Sequence, residues 1–222
     1  WLVAAGAALV LCSPAAAQWS TPPVSSLVVP PGGTVDLACV PLDMQGTLEL
    51  NGGLLTSDTD AAFGSGALVT GTGGTISVGG DVLITGALAL GSNDLELRDG
   101  CGIGNTSQLT GTIVVQNLTI RSSTGRTFVL PAGAHITVLG ALTIEGAPGL
   151  PVVVQAASGT SFVTLGPAAT VARTNATVVA NVQIGPGSSN VAAIPTLSEY
   201  GLMFLSLLMA GAVWHRRRTL QG

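Results

Sequence analysis

The chain has no lysine anywhere, and only 8% of its 222 residues are charged, about a third of the usual ~25%. Charge-driven disorder is excluded by that scarcity. No internal window reaches the 18 or more uninterrupted apolar residues of a spanning helix, although the chain is 47% hydrophobic. The apolar residues are scattered among Gly, Thr, Ser and Asn, as in a β-rich exported protein. The formal net charge of −4 repels phosphate backbones, so no nucleic-acid partner is expected. Histidine is nearly absent too, with His135 standing alone outside the tail.

What is present is a short recurring phrase: apolar, any, apolar, then Gly, Ser or Asn. It runs through Leu48-Glu49-Leu50, Ile76-Ser77-Val78, Val82-Leu83-Ile84, Leu88-Ala89-Leu90 and Leu95-Glu96-Leu97. It continues in Leu118-Thr119-Ile120, Leu142-Thr143-Ile144, Val152-Val153-Val154 and Val182-Gln183-Ile184. Alternation puts the first and third side chains on one face of a very short strand. Spacing supplies the architecture. Leu97-Arg98, Ile120-Arg121 and Ile144-Glu145 recur at steps of 23 and 24 residues, each with Leu two positions before the apolar residue. The run from Ile76 to Gly86 also matches the run from Ile136 to Gly146 at an offset of 60. A period near 20 to 24 predicts an all-β, right-handed parallel β-solenoid of roughly seven coils over 34–184, with a β-sandwich as the alternative. Residues 18–33, rich in Pro and Ser, read as an opening segment or cap, and 185–193 as a Gly/Pro/Ser linker.

The two ends carry targeting patterns. Residues 1–17 read as a partial signal helix: Leu2 to Leu11 is apolar and uncharged, and Ala15 and Ala17 give the small-x-small pattern that places signal peptidase cleavage before Gln18. Cys12 is not a lipidation site on this reading, because Leu11 stands where a lipobox needs a small residue. At the other end, 194–222 holds Ile194-Pro195-Thr196-Leu197-Ser198-Glu199-Tyr200-Gly201, an apolar run to Trp214, and Arg216-Arg217-Arg218. As a helix, roughly 15 residues from Tyr200 span about 22 Å, short of the ~30 Å hydrocarbon core. The three arginines stay cytoplasmic and act as a membrane stop, leaving the preceding domain across the membrane.

This tail resembles the IPTL-type C-terminal sorting signal of Gram-negative bacteria, with Tyr200 in the place of the family's Trp. The resemblance implies an inner-membrane-anchored precursor whose hydrophobic helix is removed by an exosortase-like transpeptidase, which passes the domain to the envelope, cell surface or extracellular space. The repeats around Gly140 to Leu165 look like the β-helical coils of large bacterial surface proteins with such tails. The expected role is structural or adhesive, with a surface polysaccharide or matrix component as candidate partner. A permanently tail-anchored periplasmic protein and a β-helical carbohydrate-active enzyme are the competing readings.

The residue supply for catalysis is poor. Asp58 and Asp60 are the closest carboxylate pair, and in a turn they are expected to bind backbone groups. Asp94, Glu96, Asp99 and Asn105 offer oxygen ligands without the calcium β-roll nonapeptide. His135 reads as an exposed loop residue. No enzyme activity, cofactor or metal site is therefore expected. With both ends removed, ten acids face four arginines, a net charge of about −6. Cys39 and Cys101 then remain, 62 residues apart. Nearly three coils would hold their Cα atoms about 14 Å apart, beyond the ~7 Å reach of a disulfide. Free thiols are the expectation unless Cys39 belongs to a segment that folds back.

Overall fold

The computed structural model describes residues 18–186, apart from 102, 103 and 133. The first coil is β1 (Trp19–Thr21), β2 (Ser26–Val29) and β3 (Thr34–Asp36), and the second is β4 (Leu42–Met44), β5 (Thr47–Leu50) and β6 (Leu54–Ser57). The third is β7 (Ala61–Phe63), β8 (Leu68–Thr70) and β9 (Thr72–Val78). The fourth holds β10 (Val82–Ala89) and β11 (Ser92–Leu97), and the fifth β12 (Thr106–Val115) and β13 (Leu118–Ser122). The sixth is β14 (Thr127–Leu130), β15 (His135–Val138) and β16 (Ala141–Gly146), and the seventh β17 (Val152–Ala156), β18 (Ser161–Leu165) and β19 (Thr170–Thr174). An eighth begins with β20 (Ala176–Val178) and β21 (Val182–Pro186).

Every pairing between these strands is parallel, and each links one coil to the next. The described residues thus form a parallel β-solenoid of about seven coils, roughly 34 Å long at ~4.8 Å per coil. The antiparallel pairing that defines a sandwich is missing between the named strands, which removes that alternative. Three faces run along the stack. The first follows β1-β4-β7-β10-β12-β14-β17-β20 and the third β3-β6-β9-β11-β13-β16-β19. The second begins as β2-β5-β8 and continues through the later halves of β10 and β12 into β15, β18 and β21. β10 and β12 serve two faces because each bends at a glycine with positive φ, Gly86 (φ 102) and Gly111 (φ 91).

The triplets fill the interior as their alternation requires. Leu48 and Leu50, Ile76 and Val78, Leu95 and Leu97, Leu118 and Ile120, and Leu142 and Ile144 are all buried. Leu95 pairs with Leu118 and Leu118 with Leu142, so the 23- and 24-residue steps read in the sequence are the stacking register itself. At about 25 cal/mol per Å² of apolar surface removed from water, these ladders are the main stabilising term. Polar ladders close the corners. Asp94 Oδ1 accepts from Asn117 Nδ2 at 2.8 Å, and Asn117 Oδ1 accepts from Ala141 N at 2.7 Å. Buried Asn93 likewise binds Gly74 N through Oδ1 at 2.9 Å and donates to Leu90 O at 2.8 Å.

Two expectations change. Residues 18–33 supply the first two strands of the first described coil: β1 pairs with β4 and β2 with β5, so the stack already includes Trp19. The prolines that disguised it, Pro22, Pro23, Pro30 and Pro31, sit at corners, where no ladder N–H is needed. The offset-60 match is not a stacking repeat. It aligns β9-corner-β10 with β15-corner-β16, and β9 lies on the third face whereas β15 lies on the second. What repeats there is a strand-corner-strand unit. The signal and sorting helices expected at 1–17 and 202–214 lie outside the described residues.

The ladder makes a directional prediction. Leu118→Ala, at the centre of the third-face ladder and 1% exposed, should destabilise the fold by about 2–5 kcal/mol in chemical denaturation, while outward Thr119→Ala should cost about 0.5 kcal/mol or less. Leu95→Ala combined with Leu118→Ala should be non-additive, because the two side chains share one contact.

Candidate functional site

The densest polar constellation lies where the third face turns into the first, and it begins with one row of the stack. The residues following Ser57, Val78, Leu97, Ile120 and Ile144 in register are Asp58, Gly79, Arg98, Arg121 and Glu145. Gly79 leaves that position empty in the third coil. Arg98 therefore reaches across it, and its guanidinium pairs with Asp58 two coils away. The Arg98 Nε also donates to Ser77 Oγ at 2.7 Å, and Ser77 donates to Glu96 Oε2 at 2.6 Å. Glu96 Oε1 accepts from Arg121 Nε at 2.6 Å. A continuous polar chain, Asp58-Arg98-Ser77-Glu96-Arg121, thus ties four coils together. Arg121 is half-exposed, so its pair alone is worth no more than about 1 kcal/mol.

Asp99 continues the cluster. Its carboxylate accepts from Ser122 Oγ at 2.6 Å, Ser123 N at 2.7 Å, Ser123 Oγ at 2.9 Å and Thr124 Oγ1 at 3.1 Å. Burial pushes the Asp99 carboxyl up, but these donors together outweigh it and hold the group below the ordinary aspartate range. Arg98, Asp99, Arg121, Ser122 and Glu145 line an open cavity of about 370 Å³.

After Asp99 the chain leaves the screw and folds back along the stack. Cys101 N donates to Asp58 O at 2.6 Å, passing the corner at Gly79. A Cβ on Gly100 would collide with the Asp58 carbonyl, and one on Gly79 would strike Gly100, so both positions need glycine. From the other side, Ala38 turns with φ 49 and its carbonyl binds Asp58 N at 2.7 Å. Cys39 and Cys101 meet over Asp58 and are disulfide-bonded, with Cα atoms 5.7 Å apart. This corrects the expectation of free thiols. Three coils do separate the parent strands β3 and β11, but the segment after β11 travels back toward the first coils. The sulfurs and an Asp58 oxygen lie within 4.8 Å of one another; with the sulfurs joined, no thiolate is on offer to a metal.

Other oxygen ligands named in the sequence are spent separately. Asp60 Oδ1 binds Asp81 N at 2.8 Å and Asp81 Oδ1 binds Gln108 N at 2.8 Å, each acid tying its coil to the next backbone. Asp58 and Asp60 therefore part company, one to a guanidinium and one to an amide. Asp94, Glu96 and Asp99 each hold a different partner and do not converge on one point. His135 is exposed and opens β15 instead of sitting in a loop. Gln18 is exposed and immediately precedes β1. Ala15, Ala17, the eight residues Ile194 to Gly201, and Arg216 to Arg218 lie outside the described residues. Three members of this row, Arg98, Arg121 and Glu145, already mark the period in the sequence; that Asp58 and Gly79 share the row shows only in the pairing.

Two outcomes test the corner. Replacing both cysteines by Ser should cost about 2–5 kcal/mol of stability, whereas reduction of Asp58→Asn protein should proceed faster than in the parent, measured by thiol titration. Asp99 has a folded value below its unfolded value of about 3.9, so its contribution is complete above about pH 4 and is lost as pH falls through the folded value. Asp99→Asn should lower the melting temperature at pH 7 and show a shallower further fall between about pH 5 and pH 2.

Among families of known proteins, the IPTL-CTERM motif matches residues 192–218. No curated protein and no solved structure matches the chain. The matched segment carries Ile194-Pro195-Thr196-Leu197-Ser198-Glu199 and the arginine cluster, and it implies processing by an exosortase-like enzyme and export to the surface. The chain thus combines a β-solenoid over its described residues with an IPTL-CTERM motif at 192–218.

Proposed function

We propose that this chain is a non-enzymatic structural or adhesive element of the bacterial envelope. It is exported behind a leader that signal peptidase removes between Ala17 and Gln18. It is held in the inner membrane by the segment ending in Arg216-Arg217-Arg218, and an exosortase-like transpeptidase then releases it within Ile194 to Gly201. The observation that carries the reading is the IPTL-CTERM match over 192–218 on a chain whose described residues form a solenoid. A short apolar run stopped by three arginines suits a temporary anchor better than a lasting one. Two features of the rod support a role without turnover. Asp58, Asp60, Asp81, Asp94, Glu96 and Asp99 are engaged in ties between coils, and the one carboxylate pair suggested by spacing is split between Arg98 and Asp81 N–H.

A cut before Gln18 would leave β1 and every later strand in the mature chain. Intact-mass measurement on envelope and culture-medium fractions should find an N-terminus at Gln18 and a C-terminus within Ile194 to Gly201. Mature protein retaining Arg216 to Arg218 would establish the permanent tail anchor instead.

A further inference from the structure

The three faces of the solenoid differ sharply in charge. The third face carries Asp36, Asp94, Glu96, Arg121 and Glu145 in outward positions, and the first carries Asp43 with Asp60 and Asp81 at its corner. On the second face the outward rows hold one ionic side chain among the described residues, Glu49, which is already bound by Asn51 Nδ2 at 2.8 Å. Elsewhere those rows are hydroxyls, amides and apolar groups. Thr112, His135, Phe162 and Gln183 follow one another from coil to coil, and beside them run Val114, Thr137 and Thr164. Phe162 is 43% exposed although it lies in mid-sheet, and Val28 and Leu68 are half-exposed on the same face nearer the first coil. Phe63 and Phe128, by contrast, are buried in the core.

We infer that the second face, centred on Phe162, binds a neutral, hydroxyl-rich polysaccharide laid along the axis of the stack. The inference rests on the adhesive reading above and supplies its ligand class. Charge selects the ligand. An anionic polymer is repelled by a rod with a net negative charge, and a cationic one would go to the acidic first and third faces. A neutral polymer is drawn to the face where the one ionic side chain among the described residues, Glu49, lies apart from Phe162 and is already bound by Asn51. The chemistry fits as well. A ring face of Phe162 offers apolar contact to the C–H face of a sugar, while Thr137, Thr164, Gln183 and His135 supply hydroxyl, amide and imidazole groups for hydrogen bonds around it. From Thr112 to Gln183 these groups repeat at the ~4.8 Å strand spacing, so over the fifth to eighth coils a polymer along the axis meets one polar step per coil, while the fourth coil offers Ala87 and Ala89. The whole face is about 34 Å long, enough for several sugar units to add weak contacts.

The test uses the full chain in mild detergent, with native affinity electrophoresis in dextran and mixed-linkage β-glucan, pull-down on cellulose and chitin, and alginate as the acidic comparison. Retention on at least one neutral polymer is expected. It should be insensitive to salt, about tenfold weaker in Phe162→Ala, weaker in His135→Ala, and unchanged in Leu83→Ala, where the residue is even more exposed, on the first face. Circular dichroism and melting check that each variant is folded. No retention on any of the four neutral polymers overturns the inference, as does retention that Leu83→Ala weakens as much as Phe162→Ala. Preference for alginate overturns it too, and so does a concentration-dependent dimer that Phe162→Ala abolishes, which would give the face to a second copy. None of these outcomes depends on where the tail is cut, so failure of the sorting reading is seen separately in the mass measurement.

Discussion

In a parallel solenoid every strand must find its backbone partners in the coil before and the coil after, and that requirement governs everything else in this chain. Leu95 over Ile76, Leu118 over Leu95 and Leu142 over Leu118 are the visible result. Because pairing always joins equivalent positions, an inward residue stacks on inward residues and an outward one on outward ones. Inside the rod this gives continuous apolar ladders. Outside it gives rows of side chains held about 4.8 Å apart, and any charge in a row meets its neighbours whether or not it complements them.

The third face shows how such rows are reconciled. Arg98 and Arg121 stand next to each other in one row, a repulsive arrangement if nothing intervened. Each is neutralised diagonally instead, Arg121 by Glu96 one coil back and Arg98 by Asp58 two coils back. The longer reach exists because Gly79 vacates the intermediate position. The same vacancy lets Gly100 and Cys101 pass, so one missing side chain permits both the ion pair and the disulfide. Asp58 then serves three partners at once: its carboxylate binds Arg98, its carbonyl receives Cys101 N, and its N–H goes to Ala38 O. Removing the solvent-facing charge of Asp58 would leave a guanidinium facing a corner built from backbone, which is why this acid is structural here.

Much of the fold was legible because a solenoid writes its period into the sequence. The triplets identify the inward residues, and the steps from Leu97 to Ile120 to Ile144 give the register directly. What could not be read are the places where the chain departs from that period. Pro22, Pro23, Pro30 and Pro31 make the first coil look irregular, yet they occupy corners and leave β1, β2 and β3 free to pair. The Ile76 and Ile136 runs look equivalent because a strand, a corner and a strand have the same local pattern on any face; only long-range pairing shows which face is meant. The Cys39–Cys101 bond escaped for a related reason. Distance along a screw is a sound estimate only while the chain stays on the screw, and residues after Arg98 do not.

The same division explains why the binding face and the stabilising face are different. Many polar residues on and beside the third face are mutually committed: Ser77, Glu96, Arg98 and Arg121 have each other, and Asp99 has the Ser122 to Thr124 turn. A ligand arriving there would have to break bonds already made, recovering little. The second face has no comparable network, and Thr137, Thr164 and Gln183 enter no side-chain hydrogen bond with another residue among those described. Their groups are solvated in the free rod and can be exchanged for those of a hydroxyl-rich partner at small cost. A structure that spends its charges on holding coils together leaves its uncharged face available, and the exposed Phe162 marks where apolar surface was not withdrawn into the core.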